Sequence, residues 1–125
     1  PEGLLLVHTI GGSRSVSTID PWIAKYIFPN AQLPSARQLC DASEGRFVME
    51  DWHSFGPDYD TTLMAWLRRF DAAWDALKAS YDERFYRMWR FYLQSCAGTF
   101  RARRNHVWQI LYSPNGIPGR FEVPR

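Results

Sequence analysis

Apolar and polar positions divide the chain into a short series of elements. It opens on four apolar residues, Leu4-Leu5-Leu6-Val7, followed by His8-Thr9-Ile10 and the pair Gly11-Gly12. An unbroken apolar run predicts a strand over 4–10 that is buried on both faces, as in the interior of a parallel sheet. His8 then lies near the carboxyl end of that strand, where open α/β sheets hold their ligands. An interior strand needs a neighbour on each side. The expectation is therefore that residues 1–125 are part of one larger α/β domain.

Gly11 to Asp20 is a polar loop. Asp20-Pro21 reads as a helix start, carboxylate at the cap and proline at the first helical position. Trp22 to Phe28 follows as a short apolar helix closed by Pro29-Asn30, and Ser35 caps a second short helix over 35–43. Residues 46–53 form the next strand, and 55–59 (Phe-Gly-Pro-Asp-Tyr) a turn. A long helix starts at Asp60 or Thr61, with Leu63, Trp66, Leu67, Phe70, Trp74 and Leu77 at helical spacing. Ser80 and Glu83 fit a capping box. The helix behind it carries Phe85, Met88, Trp89, Tyr92, Cys96 and Phe100 on one face, with Gly98 inside the pattern as a weak point. Residues 107–112 are a third strand, and 113–125, rich in Pro and Gly, are a flexible tail.

Composition changes this picture in three places. Aromatic residues make up 16% of the chain, with six Trp, enough to line a hydrocarbon pocket as well as fill a core. Net charge is only +2, but Lys78, Arg84, Arg87, Arg90, Arg101, Arg103 and Arg104 face just Asp82 and Glu83 between residues 78 and 106. That excess reads either as a solvated helix face or as a surface for an anionic membrane. The arginines sit in no nucleic-acid recognition motif, so no nucleic acid is expected. Cys40 and Cys96 form no CxxC pair and read as free thiols of a reducing, cytoplasmic compartment. No apolar run is long enough for a membrane span.

Taken singly, the chemical residues say little. His8 reads as a hydrogen-bonded structural residue or a site residue, Glu50-Asp51 as acid/base groups or an exposed strand end, and Cys96 as buried core. His8, His53 and His106 have no metal-ligand spacing, so no metal is expected. Gly11-Gly12 is not a phosphate-binding loop.

Six separated runs, in order, change those odds. They are His8-Thr9-Ile10-Gly11; Asp20-Pro21-Trp22-Ile23 with Lys25 to Pro29; Leu33-Pro34-Ser35; Gly56-Pro57-Asp58-Tyr59 with Thr61-Thr62-Leu63; Arg84-Phe85 with Arg87-Met88-Trp89; and Cys96-Ala97-Gly98 with Phe100 to Arg103. Together they resemble the C-terminal part of the bacterial cyclopropane-fatty-acyl-phospholipid synthases. The resemblance extends to about Leu111.

The resemblance implies an α/β fold: the last three strands of a class I S-adenosylmethionine (SAM) methyltransferase sheet, with helical lipid-site insertions. The final strand would be antiparallel and lie between the other two. The glycine-rich SAM loop, and a cysteine and a glutamate of the bicarbonate site, would belong to the other half of the domain. The implied reaction is methylene transfer from SAM to a cis double bond of a phospholipid acyl chain, with bicarbonate as general base. The implied bicarbonate ligands are His8 (side chain), Ile10 (backbone) and Tyr59 (phenol), and Tyr92 and Cys96 would lie near the reacting carbons. Trp22, Tyr26, Phe28, Trp66 and Trp89 are candidates for the acyl pocket. The expected setting is the cytoplasm, peripheral at the inner membrane, with the fragment alone inactive. Two alternatives stand beside this: a related fatty-acyl methyltransferase that leaves a methyl branch, and a non-catalytic lipid-binding or oligomerising module, a homodimer joined through the apolar edge of 4–10.

Overall fold

The computed structural model describes residues 3–119 and 122. Its elements are β1 (Leu5–Gly12), α1 (Pro21–Tyr26), α2 (Ala36–Ser43), β2 (Val48–Ser54), α3 (Gly56–Leu77), α4 (Glu83–Arg101) and β3 (Asn105–Ser113). They divide into two compact units. One holds the sheet and α2; the other holds α1, α3 and α4.

In the sheet unit the strand order is β1-β3-β2, with β3 antiparallel to both neighbours. The strand that comes last in the chain is therefore central, as the resemblance implied. Strand alternation sends Trp108, Ile110 and Tyr112 to one face, where they form a buried cluster packed by Val7, Leu39 and Trp52. The Trp108 ring lies across Gly11, so closely that a Cβ there would fall inside the ring's van der Waals envelope. Trp52 meets Trp108 edge-on at 5.1 Å, and His106 stacks on it at 5.4 Å.

Three expectations for this unit are corrected. Within these 125 residues β1 is not buried on both faces: Leu5 is 43% and Leu6 56% exposed, as fits a strand whose second neighbour would lie in the rest of the domain. Among the described residues its side away from β3 carries only a bridge from Gly12 to Ser35. β3 is longer than the pattern indicated, starting at Asn105 because β1 continues through Gly11 and Gly12, which pair with His106 and Asn105. Glu50 is no exposed strand end. The register slips between Met49 and Asp51, leaving Glu50 as the extra residue of a bulge. Its carboxylate accepts from the Ser113 hydroxyl and from the Ile117 amide, at 3.0 Å from the latter. The first residues of the expected 113–125 tail are thus fastened to β2, while 120, 121 and 123–125 lie outside the described residues.

In the helical unit, Asp20 caps α1 by accepting from the amides of Trp22 and Ile23 at 2.9 and 3.1 Å. α3 begins at Gly56, so the expected turn over 55–59 is its first winding, with Pro57 where a helix tolerates the missing N–H. The cap of α4 is Asp82, accepting from the Phe85 amide at 2.8 Å, and not Ser80. The amides of Ser80 and Tyr81 close the end of α3 onto Leu77 O. α4 runs unbroken through Gly98. Leu63, Leu67, Leu93, Ala97 and Phe100 are the buried residues of the two long helices apart from Gly56. Acidic residues of the helical unit pair with part of the basic excess: Asp60 with Arg101, Asp71 with Arg90, and Asp75 with Lys78. No described helix is long and apolar enough to cross a membrane.

Candidate functional site

The expected site residues fall in both units: His8 and Ile10 on β1, and Tyr59, Tyr92 and Cys96 on α3 and α4.

On β1, side chain and backbone are presented differently. The Gly12 amide leaves the strand away from β3 to reach Pro34 O at 3.0 Å. Amides two and four residues back point the same way, so those of Ile10 and His8 also face the open side. Val107 opposes Ile10 and gives its carbonyl to the Phe55 amide at 3.0 Å, in the opposite direction. Ile10 and Val107 are therefore a non-hydrogen-bonded pair of the ladder. Within these 125 residues the Ile10 N–H makes no bond to β3 and is turned to the other side of β1, where it can donate to a small anion.

The His8 side chain lies on the face opposite the Trp108 cluster. There the register sets His8, Gln109 and His53 in one row across the three strands. Gln109 Nε2 is 3.3 Å from His8 Nδ1. Phe55 is tilted against both imidazoles, with ring centroids 5.8 Å from His8 and 5.1 Å from His53. Sequence reading missed Gln109, Phe55 and His53. A signal was there: period-two alternation of strands 46–53 and 107–112 puts a polar residue of each beside His8 once β3 is known to be central.

In the helical unit Tyr59, Tyr92 and Cys96 are partly buried. The Tyr59 ring meets Phe100 at 5.1 Å and Trp66 at 5.9 Å, both edge-on. Burial, with smaller contributions from Cys96 and Tyr59, pushes the Tyr92 phenol up to about 12. Burial also pushes the Cys96 thiol up, against a weaker opposing hydrogen bond from Ser95. A thiol so placed is protonated at neutral pH and a poor nucleophile, which suits a wall.

The five pocket candidates all lie in this unit. Trp89 packs on Tyr92 at 5.1 Å and on Phe85 at 5.9 Å, and Phe28 meets Tyr92 edge-on at 5.9 Å. Trp22 contacts Tyr26 and, at 4.7 Å, Phe91. Phe28 (49% exposed), Trp66 (40%) and Tyr26 (37%) keep much of their surface open, which is unusual for core rings. Tyr26 hydrogen-bonds to Lys25, which, with Arg84, holds its phenol below the ordinary range.

A catalogued sequence family described as mycolic acid cyclopropane synthetase matches residues 1–110. The chain belongs to that family. Over its full 125 residues it is 55% identical to the cyclopropane-fatty-acyl-phospholipid synthase of Escherichia coli (strain K12). It spans 32% of that relative's length, about a third. Two solved cyclopropane synthases have the same fold at 27% identity, each over 90% of this chain. One is MmaA2 from Mycobacterium tuberculosis (TM-score 0.80, 45% of its chain covered). The other is CmaA1 complexed with SAH and CTAB (TM-score 0.77, 44% covered). The α/β class expected from the sequence, with the last strand inserted between two others, is thus the arrangement of about half of a cyclopropane synthase of this family.

Proposed function

We propose that this chain is the lipid-site part of a SAM-dependent cyclopropane synthase acting on cis-unsaturated acyl chains of phospholipids. When bound, SAM supplies the methyl group and bicarbonate the base that takes a proton from it as the ring closes. The chain's own residues have three tasks.

The first is holding the anion. The His8 imidazole, the Ile10 amide and the Tyr59 phenol donate to it, and a held base of fixed direction works by positioning. The second is shielding positive charge on the acyl chain. The Tyr92 ring offers the face of its quadrupole, and because its hydroxyl stays protonated it adds no competing base. The third is excluding water, which would quench a carbocation. Cys96, Trp22, Tyr26, Phe28, Trp66 and Trp89 supply the apolar walls. The observation that carries the reading is the Ile10 amide, turned off the ladder beside an imidazole on the same strand. The bulk of the SAM site would lie in the other half of the catalytic domain. The basic residues of α4 would meet anionic headgroups at the inner face of the membrane, with the enzyme otherwise cytoplasmic.

The test is an exchange. The matching segment of the E. coli synthase is replaced by these 125 residues and incubated with SAM and vesicles of a cis-monounsaturated phospholipid. Gas chromatography of the released acyl chains is expected to give the ring product. Tyr59→Phe is expected to lower it by at least about tenfold, the scale of a lost general-base arrangement. The 125-residue chain alone is expected to make none. A folded, SAM-binding chimera that forms no ring overturns the proposal, and a methyl-branched product favours the related methyltransferase instead. The exposed Leu4, Leu5 and Leu6 favour one further role, pairing of two copies through β1.

A further inference from the structure

The row His8-Gln109-His53 is not explained by packing. It lies on the sheet face opposite the Trp108 cluster, where Val107 is also fully buried but His8 is exposed and Gln109 and His53 only partly buried. Yet two imidazoles and a carboxamide meet there in register, and Phe55 leans on both imidazoles. The pairing of Gln109 with His8 is directional. With Gln109 Nε2 turned toward His8 Nδ1, the carboxamide donates and the imidazole accepts; the reversed amide would present Oε1 and accept from Nδ1–H, and the tautomer tells the two apart. A neutral imidazole that accepts at Nδ1 carries its proton at Nε2. Phe55 lies against the same ring, centroids 5.8 Å apart.

We propose that Gln109 is a positioning residue: it holds His8 as the Nε2–H tautomer, so that the ring's remaining nitrogen is a donor toward a small anion. Without it, the Nδ1–H tautomer, the minor form of a free neutral imidazole, becomes accessible to His8, and Nε2 then presents a lone pair, which repels an anion. Gln109 acts through His8 and touches neither substrate nor anion. This rests on the reading of His8 as an anion ligand, but the tautomer is observable on its own.

The first measurement is long-range nitrogen–proton correlation NMR of the imidazoles in the 125-residue chain, at a pH where the rings are neutral. His106, on the other face of the sheet, serves as the internal reference for an intact fold. His8 is expected to be almost wholly Nε2–H. Gln109→Leu, which keeps a strand-compatible side chain, is expected to give a mixture of tautomers. Gln109→Glu, whose carboxylate only accepts, is expected to invert His8 to Nδ1–H. The second measurement varies bicarbonate in the chimera described above. Gln109→Leu is expected to raise the bicarbonate needed for half-maximal rate by roughly tenfold, as loss of an orienting partner does for a ligating histidine, with little change at saturation. A His8 tautomer unchanged in both variants overturns the proposal. Tautomers that respond while ring formation ignores bicarbonate leave Gln109 as the partner that sets His8 and overturn the functional reading beneath it.

Discussion

Gly11 has one task, and it is steric. The Trp108 ring occupies the space a side chain would take, and that ring is held in turn by Trp52 and His106. Gly11→Ala is expected to displace Trp108 and cost about 1–3 kcal/mol, the usual range for overpacking, read as a lower urea midpoint with unchanged slope. Tyr92 offers a second test. Its folded-state pKa of about 12 lies above the ordinary 10.0. A raised value gives stability that is intact below pH 10 and lost as pH climbs toward 12, because the unfolded chain ionises first. The loss is on the order of 2 kcal/mol, and Tyr92→Phe is expected to abolish that part of the alkaline decline in a denaturation series across the window. At this scale the sequence was informative about identity and silent about surroundings. His8 stood out only through the resemblance, and the strand expected to stop at the glycine pair runs on to Gly12, so His8 sits in its middle; its partners Gln109 and Phe55 come from segments that only the register brings beside it.

Helix ends show how local signals compete. Ser80-x-x-Glu83 and Asp82 both suit the start of α4, and pattern alone does not choose between them. The choice falls to the preceding helix, whose end uses the amides of Ser80 and Tyr81 to cover Leu77 O. With the chain wound inward there, Asp82 is the first residue free to turn its carboxylate onto the Phe85 amide. Asp82→Ala is therefore expected to lower stability by about 1 kcal/mol and Ser80→Ala to leave it within about half of that, measured by thermal melts of the two variants. The same competition explains the missed start of α3. Gly56-Pro57-Asp58 has the composition of a turn, and a proline in the first winding of a helix has that composition too. Apolar spacing, by contrast, was a dependable guide inside the elements. Leu63, Leu67 and Phe100 were all legible as core, while Leu93 and Ala97 escaped notice because large rings dominate the same helix.

Across the molecule, the class of fold and the central place of β3 were legible through resemblance, and the sheet confirms both. Burial of β1 was not. Four consecutive apolar residues say that a strand belongs in an apolar setting, whereas exposure depends on which neighbours are present, and Leu4 and Leu6 stay more than half exposed here. An open edge of that kind invites another strand. Leu6→Lys is expected to weaken concentration-dependent self-association of the 125-residue chain, followed by sedimentation velocity over a dilution series. Unchanged association in that variant would assign any assembly to another surface.

The central position of β3 also sets a timetable. Gln109 bonds to His8 from 101 residues further along the chain. At translation rates of about 5–20 residues per second, β1 and its leucines wait roughly 5–20 s for the strand that pairs them. β2 is made in the interval, but it has no place beside β1; both need the strand that comes last. Until then the β3-facing side of β1 is unpaired, while α3 and α4 complete their mutual contacts within one continuous stretch. A stop codon anywhere before Asn105 would release a chain with its helices in hand but without the strand that joins β1 to β2, a product for proteases and chaperones to meet first.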